Sequence, residues 1–142
     1  MRKFVIIVAG GKGLRMGGDI PKQFLPIAGY PILMRTIMKF HQYDASMGVV
    51  VVLPEHQISY WTKLCADYHF DLPYLLAKGG ETRFHSVKNG LSVIDHDSDV
   101  CVAVHDGVRP FVSNGVIDAA FREAERSGAA VPTVPLVDSI RK

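Results

Sequence analysis

Two kinds of apolar pattern alternate along this chain. Residues 3–9 (KFVIIVA) form a near-continuous β-branched run, which predicts a strand buried on both faces in the middle of a parallel sheet. Gly48–Leu53 (GVVVVL) repeats the pattern and is stopped by Pro54, residues 100–104 (VCVAV) give a third such run, and residues 74–77 a shorter one. Helical spacing fills the intervals. Ile32, Leu33, Thr36, Ile37 and Phe40 share one face, and Ile58, Trp61, Leu64, Cys65 and Tyr68 share another within residues 55–68. Residues 82–93 predict a helix with Phe84, Val87, Leu91 and Ile94 turned inward. A last helix, capped by Ser113 and ended by Gly128, carries Val116, Ile117, Ala120, Phe121 and Ala124. Residues 129–134 and 137–140 read as further strands, and the stretch from Gly10 to the region of Pro31 reads as one long loop.

Strands alternating with helices predict an α/β three-layer sandwich with a mostly parallel sheet and right-handed crossovers. Ligands of such sheets bind beyond the carboxyl ends of the strands. Three unusual loops fall there: residues 10–15, 79–83 and 105–109.

Composition narrows the class. The chain has 142 residues, 48% hydrophobic and 21% charged, which suits one ordered domain or part of a slightly larger one. A net charge of +2 gives no general affinity for nucleic acid, so phosphate binding must come from local placement. No apolar run approaches the roughly 20 residues of a membrane span, and no signal peptide opens the chain. Cys65 and Cys101 lie in apolar stretches without CxxC spacing, as two reduced, core-packing thiols of a cytoplasmic protein would. The scattered histidines lack metal spacing, and Asp95, Asp97 and Asp99 (DHDSD) lack the Gly and Glu that complete a calcium loop.

The first loop, AGGKGLRM followed by PKQF, lets backbone N–H groups approach phosphate oxygens, with Arg15 and Lys22 adding positive charge. It is not a Walker A loop, and Met16 replaces the third small residue of the dinucleotide fingerprint. In the second loop, GGETRFHSVKNG, Thr82, Ser86 and Asn89 share one helical face that can either read the edge of a base or simply cap the helix. In the third, VHDGVRPF, Asp106 is placed to hold a divalent metal or a sugar hydroxyl, or to pair with Arg109 and stiffen a turn. His105 is read as orienting that loop.

Together, AGGKGLRM with PKQF, GGETRFHSVKNG, VHDGVRPFV and AAVPTVPLVDSI resemble the 2-C-methyl-D-erythritol 4-phosphate cytidylyltransferases of the non-mevalonate isoprenoid pathway. The ribitol-5-phosphate cytidylyltransferases share these signatures. The resemblance implies a Rossmann-like nucleotidyltransferase fold, CTP and a sugar-alcohol phosphate as substrates, Mg2+ as cofactor and a homodimer. It implies that Arg15 and Lys22 neutralise the triphosphate, and that Ala9, Gly10, Gly11, Gly80, Glu81 and Ser86 surround cytosine and ribose. Asp106 would lie by ribose and metal, and Arg109 and Ser139 by the acceptor. The family pattern continues beyond Lys142, so residues 1–142 are expected to be a cytidylyltransferase domain without its C-terminal portion. Two other readings stay open: a non-catalytic nucleotide-binding module, and a nicotinamide-binding domain supported by Glu55 after the second strand.

Overall fold

The computed structural model describes residues 2–10, 20–95 and 99–128. In chain order they form β1 (Arg2–Val8), a small hairpin of β2 (Pro26–Ile27) and β3 (Tyr30–Pro31), α1 (Ile32–Tyr43), β4 (Gly48–Leu53), α2 (Ile58–Asp67), β5 (Leu75–Lys78), α3 (Arg83–Ser92), β6 (Val100–Asp106) and α4 (Asn114–Ser127). Residues up to Val112 make one compact unit and those from Ser113 a second.

In the first unit, β5, β4, β1 and β6 lie side by side in that order, and every pairing is parallel. The chain steps outward from β1 to β4 and β5, then returns to lay β6 on the other side of β1. Connections therefore diverge between β1 and β6, and a crevice at such a switch point is where α/β sheets bind ligands.

The β-branched runs are buried on both faces, as their pattern requires. Phe4, Ile6 and Val8 join Val50, Val52 and Ala77 on one face, with Ile94 and the α3 residues Val87 and Leu91 packed against them. Gly90 lets α3 approach closely, because a Cβ there would stand 2.8 Å from Ile6 Cγ2 and 3.1 Å from Val52 Cγ2. Val5, Ile7 and Val51 on the opposite face are fully buried, as are Leu33, Met34 and Ile37 of α1. Register places His105 beside Ile7, and the Phe40 ring of α1 meets the His105 ring edge-on at 4.9 Å. The sheet thus lies between helical layers.

The expected face of α2 is buried or half-buried, with Trp61 at its centre. Trp61 stacks on Phe24 at 6.0 Å, and its Nε1 donates to Tyr74 Oη at 2.9 Å. Trp61 is therefore core and Tyr74 is half-buried beside it, while of the two cysteines Cys65 is half-buried and Cys101 buried. Burial pushes the Tyr74 hydroxyl up to about 12, with the neighbouring Cys65 adding to the rise. Its ordinary value is 10.0, so the unfolded chain loses this proton first as pH rises. The Tyr74 contribution to stability is thus complete below pH 10 and is lost as pH climbs towards about 12. Urea unfolding at stepped alkaline pH is expected to show this decline, and Tyr74→Phe should flatten it.

Three expectations need correction. The loop before α1 contains the β2–β3 hairpin, whose turn uses left-handed Ala28 (φ 53) and Gly29 (φ 92). Arg35 secures it by donating from Nε to the Ile27 carbonyl at 3.2 Å and by lying over the Tyr30 ring. The helix expected over 55–68 begins as a 3-10 turn, Glu55–Gln57, closed by the Gln57 amide on the Pro54 carbonyl at 2.9 Å. Phe84 is 69% exposed rather than inward, because it lies one turn beyond Val87, where the sheet has ended.

In the second unit, Ser113 Oγ accepts from the Val116 amide at 3.1 Å, and Gly128 closes α4 in a left-handed conformation. Ile117 and Phe121 are buried, while Val116 is exposed. The strands expected over 129–134 and 137–140 lie outside the described residues, as do positions 96–98 of the acidic turn.

Candidate active site

Strand pairing carries each of three loops to the carboxyl edge of the sheet. The Ala9 amide donates to the Val52 carbonyl at 3.0 Å, the Gly79 amide to Leu53 at 2.8 Å, and the Gly107 amide to Val8 at 2.9 Å. Gly10 and Gly79 both stand against Pro54, where a Cβ would come within 3.8 Å and 3.4 Å of it. Val8 pairs in register with Asp106. At the carboxyl edge, Gly10 and Gly79 therefore meet at Pro54 after β4, and Asp106 and Gly107 stand beside the end of β1 at the β1–β6 switch point.

The first loop is held from inside. Ala9 already uses its amide in the sheet, and its carbonyl accepts from Gln23 Nε2 at 2.8 Å. The same Nε2 donates to Gln57 Oε1 at 2.6 Å, and both glutamines are buried. A 3-10 turn, Lys22–Phe24, buries Gln23 and Phe24 and leaves Lys22 exposed. The Lys22 ammonium forms no ion pair among the described residues. Gly11 and Arg15 of this loop, and Ser139, lie outside the described residues.

The second loop is fixed by the first turn of α3. Ser86 is 5% exposed and its Oγ accepts from the Gly80 amide at 3.0 Å. Thr82 Oγ1 caps the helix by accepting from the His85 amide at 3.2 Å, and Asn89 Nδ2 donates to the Lys78 carbonyl at 2.8 Å. The shared face of Thr82, Ser86 and Asn89 is thus spent mainly on holding the glycine loop. A hydroxyl that accepts one bond still carries its own proton, so Ser86 can donate to a ligand. Glu81 is exposed at the tip. Thr82→Ala is expected to cost about 1 kcal/mol of stability by urea unfolding, the usual worth of an N-cap.

In the third loop, Asp106 does two things at once. Its Oδ1 accepts from the Val108 amide at 3.1 Å, and Oδ2 lies 3.7 Å from Arg109 Nε. The side chain is nonetheless 39% exposed, which leaves a carboxylate edge open to a ligand. His105 Nε2 donates to the Arg109 carbonyl at 2.8 Å, so His105 does orient the loop. Thr36 Oγ1 donates to the Gly107 carbonyl at 2.8 Å, fastening the loop to α1. Gly107 has no room for a side chain, since a Cβ would stand 2.9 Å from Ala9 Cβ. Among the described residues no group of three His, Cys, Asp or Glu could hold a metal ion. A lone exposed carboxylate nevertheless suits Mg2+, which takes one or two protein carboxylates and completes its shell with phosphate oxygens and water.

The sequence profile of 2-C-methyl-D-erythritol 4-phosphate cytidylyltransferase matches residues 3–142. The chain belongs to that family. Among its relatives, the 2-C-methyl-D-erythritol 4-phosphate cytidylyltransferase of Phocaeicola vulgatus is 55% identical over 141 residues, covering 99% of this chain and 64% of the relative. The Bacteroides thetaiotaomicron protein of the same name is 52% identical with the same coverage. A crystal structure of 4-diphosphocytidyl-2C-methyl-D-erythritol synthase superimposes with a TM-score of 0.75 over 99% of this chain and 63% of the other, at 20% identity, and so bears on the fold. The synthase from Anaerococcus prevotii gives 0.69 over 89% of this chain and 51% of the other, at 25% identity. The chain thus spans about 64% of the length of the curated relatives it matches.

Family membership stands against a nicotinamide site. Glu55, the acidic residue that supported one, forms an exposed ion pair with Lys78 at 3.3 Å. Sequence reasoning about the cytidylyltransferase motifs missed Gln23, Gln57 and the loop-holding role of Thr36. The available signal was PKQF itself, where a polar residue sits between a lysine and an aromatic in a turn that the fold buries.

Proposed function

We propose that the full-length protein transfers CMP from CTP to the phosphate of 2-C-methyl-D-erythritol 4-phosphate, giving 4-diphosphocytidyl-2-C-methyl-D-erythritol and pyrophosphate. The observation that carries this reading is the family match across residues 3–142, set on a parallel sheet whose β1, β5 and β6 ends carry the three loops along one carboxyl edge. An acceptor phosphate oxygen attacks the α-phosphorus of CTP, the bond to the β-phosphate bridging oxygen breaks, and pyrophosphate leaves with that electron pair. The nucleophile is already an anion, so the protein needs no strong base; it needs position and positive charge.

Lys22, exposed on a buried turn and without an ion pair among the described residues, is suited to neutralise that charge, and Arg15 shares the task in this reading. The backbone at Ala9, Gly10 and Gly11, with Gly80, Glu81 and Ser86, takes the cytosine and ribose. Because the Ala9 amide is spent in the sheet, Ala9 contributes through the second lone pair of its carbonyl. In this reading Asp106 would face the ribose and Mg2+, Arg109 would position the Asp106 loop and the acceptor, and Ser139 would serve the acceptor phosphate. Mg2+, when bound, adds positive charge along the triphosphate, with Asp106 as its protein carboxylate. Residues 1–142 would then be the nucleotide-binding part of a cytoplasmic homodimeric enzyme. No helix among the described residues is long and apolar enough to cross a membrane.

Titration calorimetry of the full-length protein with CTP, UTP, ATP and NAD+ in Mg2+ tests the nucleotide half of this reading. CTP is expected to bind more tightly than the others; preference for NAD+ or no preference would contradict it.

A further inference from the structure

Gln23 stands next to Lys22 and points the other way. Lys22 is exposed, while Gln23 is 2% exposed and reaches back under the sheet edge. A carboxamide nitrogen has two N–H donors in one plane, and this one has an acceptor for each. One is the Ala9 carbonyl at 2.8 Å, 14 positions away, and the other is Gln57 Oε1 at 2.6 Å, 34 positions away. The turn that carries Lys22 is therefore pinned to the last residue before the glycine loop and to the 3-10 turn after β4. Phe24 holds the same turn from its other end by stacking on Trp61 at 6.0 Å. Ring packing resists withdrawal but permits sliding, whereas two planar hydrogen bonds fix direction as well as distance.

We propose that Gln23 is a positioning residue for the transfer reaction, its carboxamide setting where the Lys22 ammonium stands relative to the end of β1. This rests on the reading of Lys22 as the cation that meets the triphosphate. A lysine side chain has four rotatable bonds, so its charge is delivered reproducibly only from a fixed backbone. A displacement of about 1 Å in a group that stabilises a transition state can cost on the order of 10² in rate. Glutamate at position 23 would lose both donors and set a carboxylate against the Ala9 carbonyl. Methionine keeps the length and removes the hydrogen bonds alone.

The test is steady-state pyrophosphate release by the full-length protein and its Gln23→Met variant, with CTP affinity measured separately by calorimetry. Q23M is expected to lower kcat by about 10- to 100-fold while CTP affinity stays within about threefold. A purely structural role would lower the unfolding temperature and leave kcat per folded molecule unchanged. In a Lys22→Ala background, Q23M is expected to lower kcat by less than about twofold more, because the charge being positioned is gone. Wild-type kcat in folded Q23M, or a further tenfold loss in the double variant, overturns the role of Gln23. No release by the wild-type protein overturns the transferase reading instead. If Q23M does not fold, Gln57→Leu carries the same test: it removes one acceptor and is expected to lower kcat by about three- to tenfold at unchanged CTP affinity, and unchanged kcat would overturn the proposal.

Discussion

Lys22→Ala in the full-length protein is expected to lower kcat by about 10²–10³ while CTP affinity changes only a few-fold. The size follows from what one preorganised charge is worth where charge develops in a transition state, by analogy with oxyanion donors. The asymmetry follows from the position of the residue. Lys22 is exposed and makes no ion pair among the described residues, so its removal leaves no buried partner unsatisfied and no cavity. The cytosine and ribose would be held elsewhere, by the glycine loops, so ground-state binding survives. Pre-steady-state release of pyrophosphate, read beside calorimetric CTP binding, separates the two quantities. Turnover near wild type in Lys22→Ala would contradict the assigned role, and the same measurement on Arg15→Ala extends it to the other cation of that loop.

Gly80→Ala is expected to have the opposite profile, weakening CTP binding by about 10- to 100-fold in a protein that still folds. A Cβ at this position would stand 2.4 Å from His85 Cβ and 3.1 Å from the His85 carbonyl carbon. His85 belongs to the first turn of α3, whose cap is fixed by Thr82, so the loop moves rather than the helix. That movement pulls the Gly80 amide off the buried Ser86 hydroxyl, which stays with the helix, and so breaks the loop that the proposed function assigns to the nucleotide. Gly80 is exposed, and the core beneath Val87 and Leu91 is untouched, so the unfolding temperature should change little. Calorimetry with CTP and a thermal melt check both halves. Unchanged affinity would remove Gly80 from the nucleotide site.

The parallel sheet was legible because burial on two faces leaves a mark that needs no partner to be read. Val5, Ile6, Ile7, Val50, Val51 and Val52 are all fully buried, and no polar residue interrupts them. The faces of α1 and α2 were equally plain from spacing. Phe84 misled because periodicity records the direction of a side chain but not where the neighbouring layer stops. The β2–β3 hairpin was hidden because two-residue strands carry no period, and its turn places an alanine in the left-handed region. At the site, the loops were found from glycine and charge, which declare themselves in sequence. The parts that hold them were not. Gln23 meets Gln57 across 34 positions, and Thr36 meets Gly107 across 71. A polar side chain used internally looks in sequence like one that faces water. Asp106 shows the reverse case: the turn-stiffening contact with Arg109 weighed for it is present, and its carboxylate stays partly exposed, which leaves the proposed ligand role open to test.

The most direct test of the account is pyrophosphate release by the full-length protein supplied with CTP and Mg2+ and offered 2-C-methyl-D-erythritol 4-phosphate, ribitol 5-phosphate or no acceptor. Release is expected to require CTP and to run with methylerythritol phosphate far faster than with either alternative. Release independent of acceptor, preference for ribitol phosphate, or no release at all would contradict it.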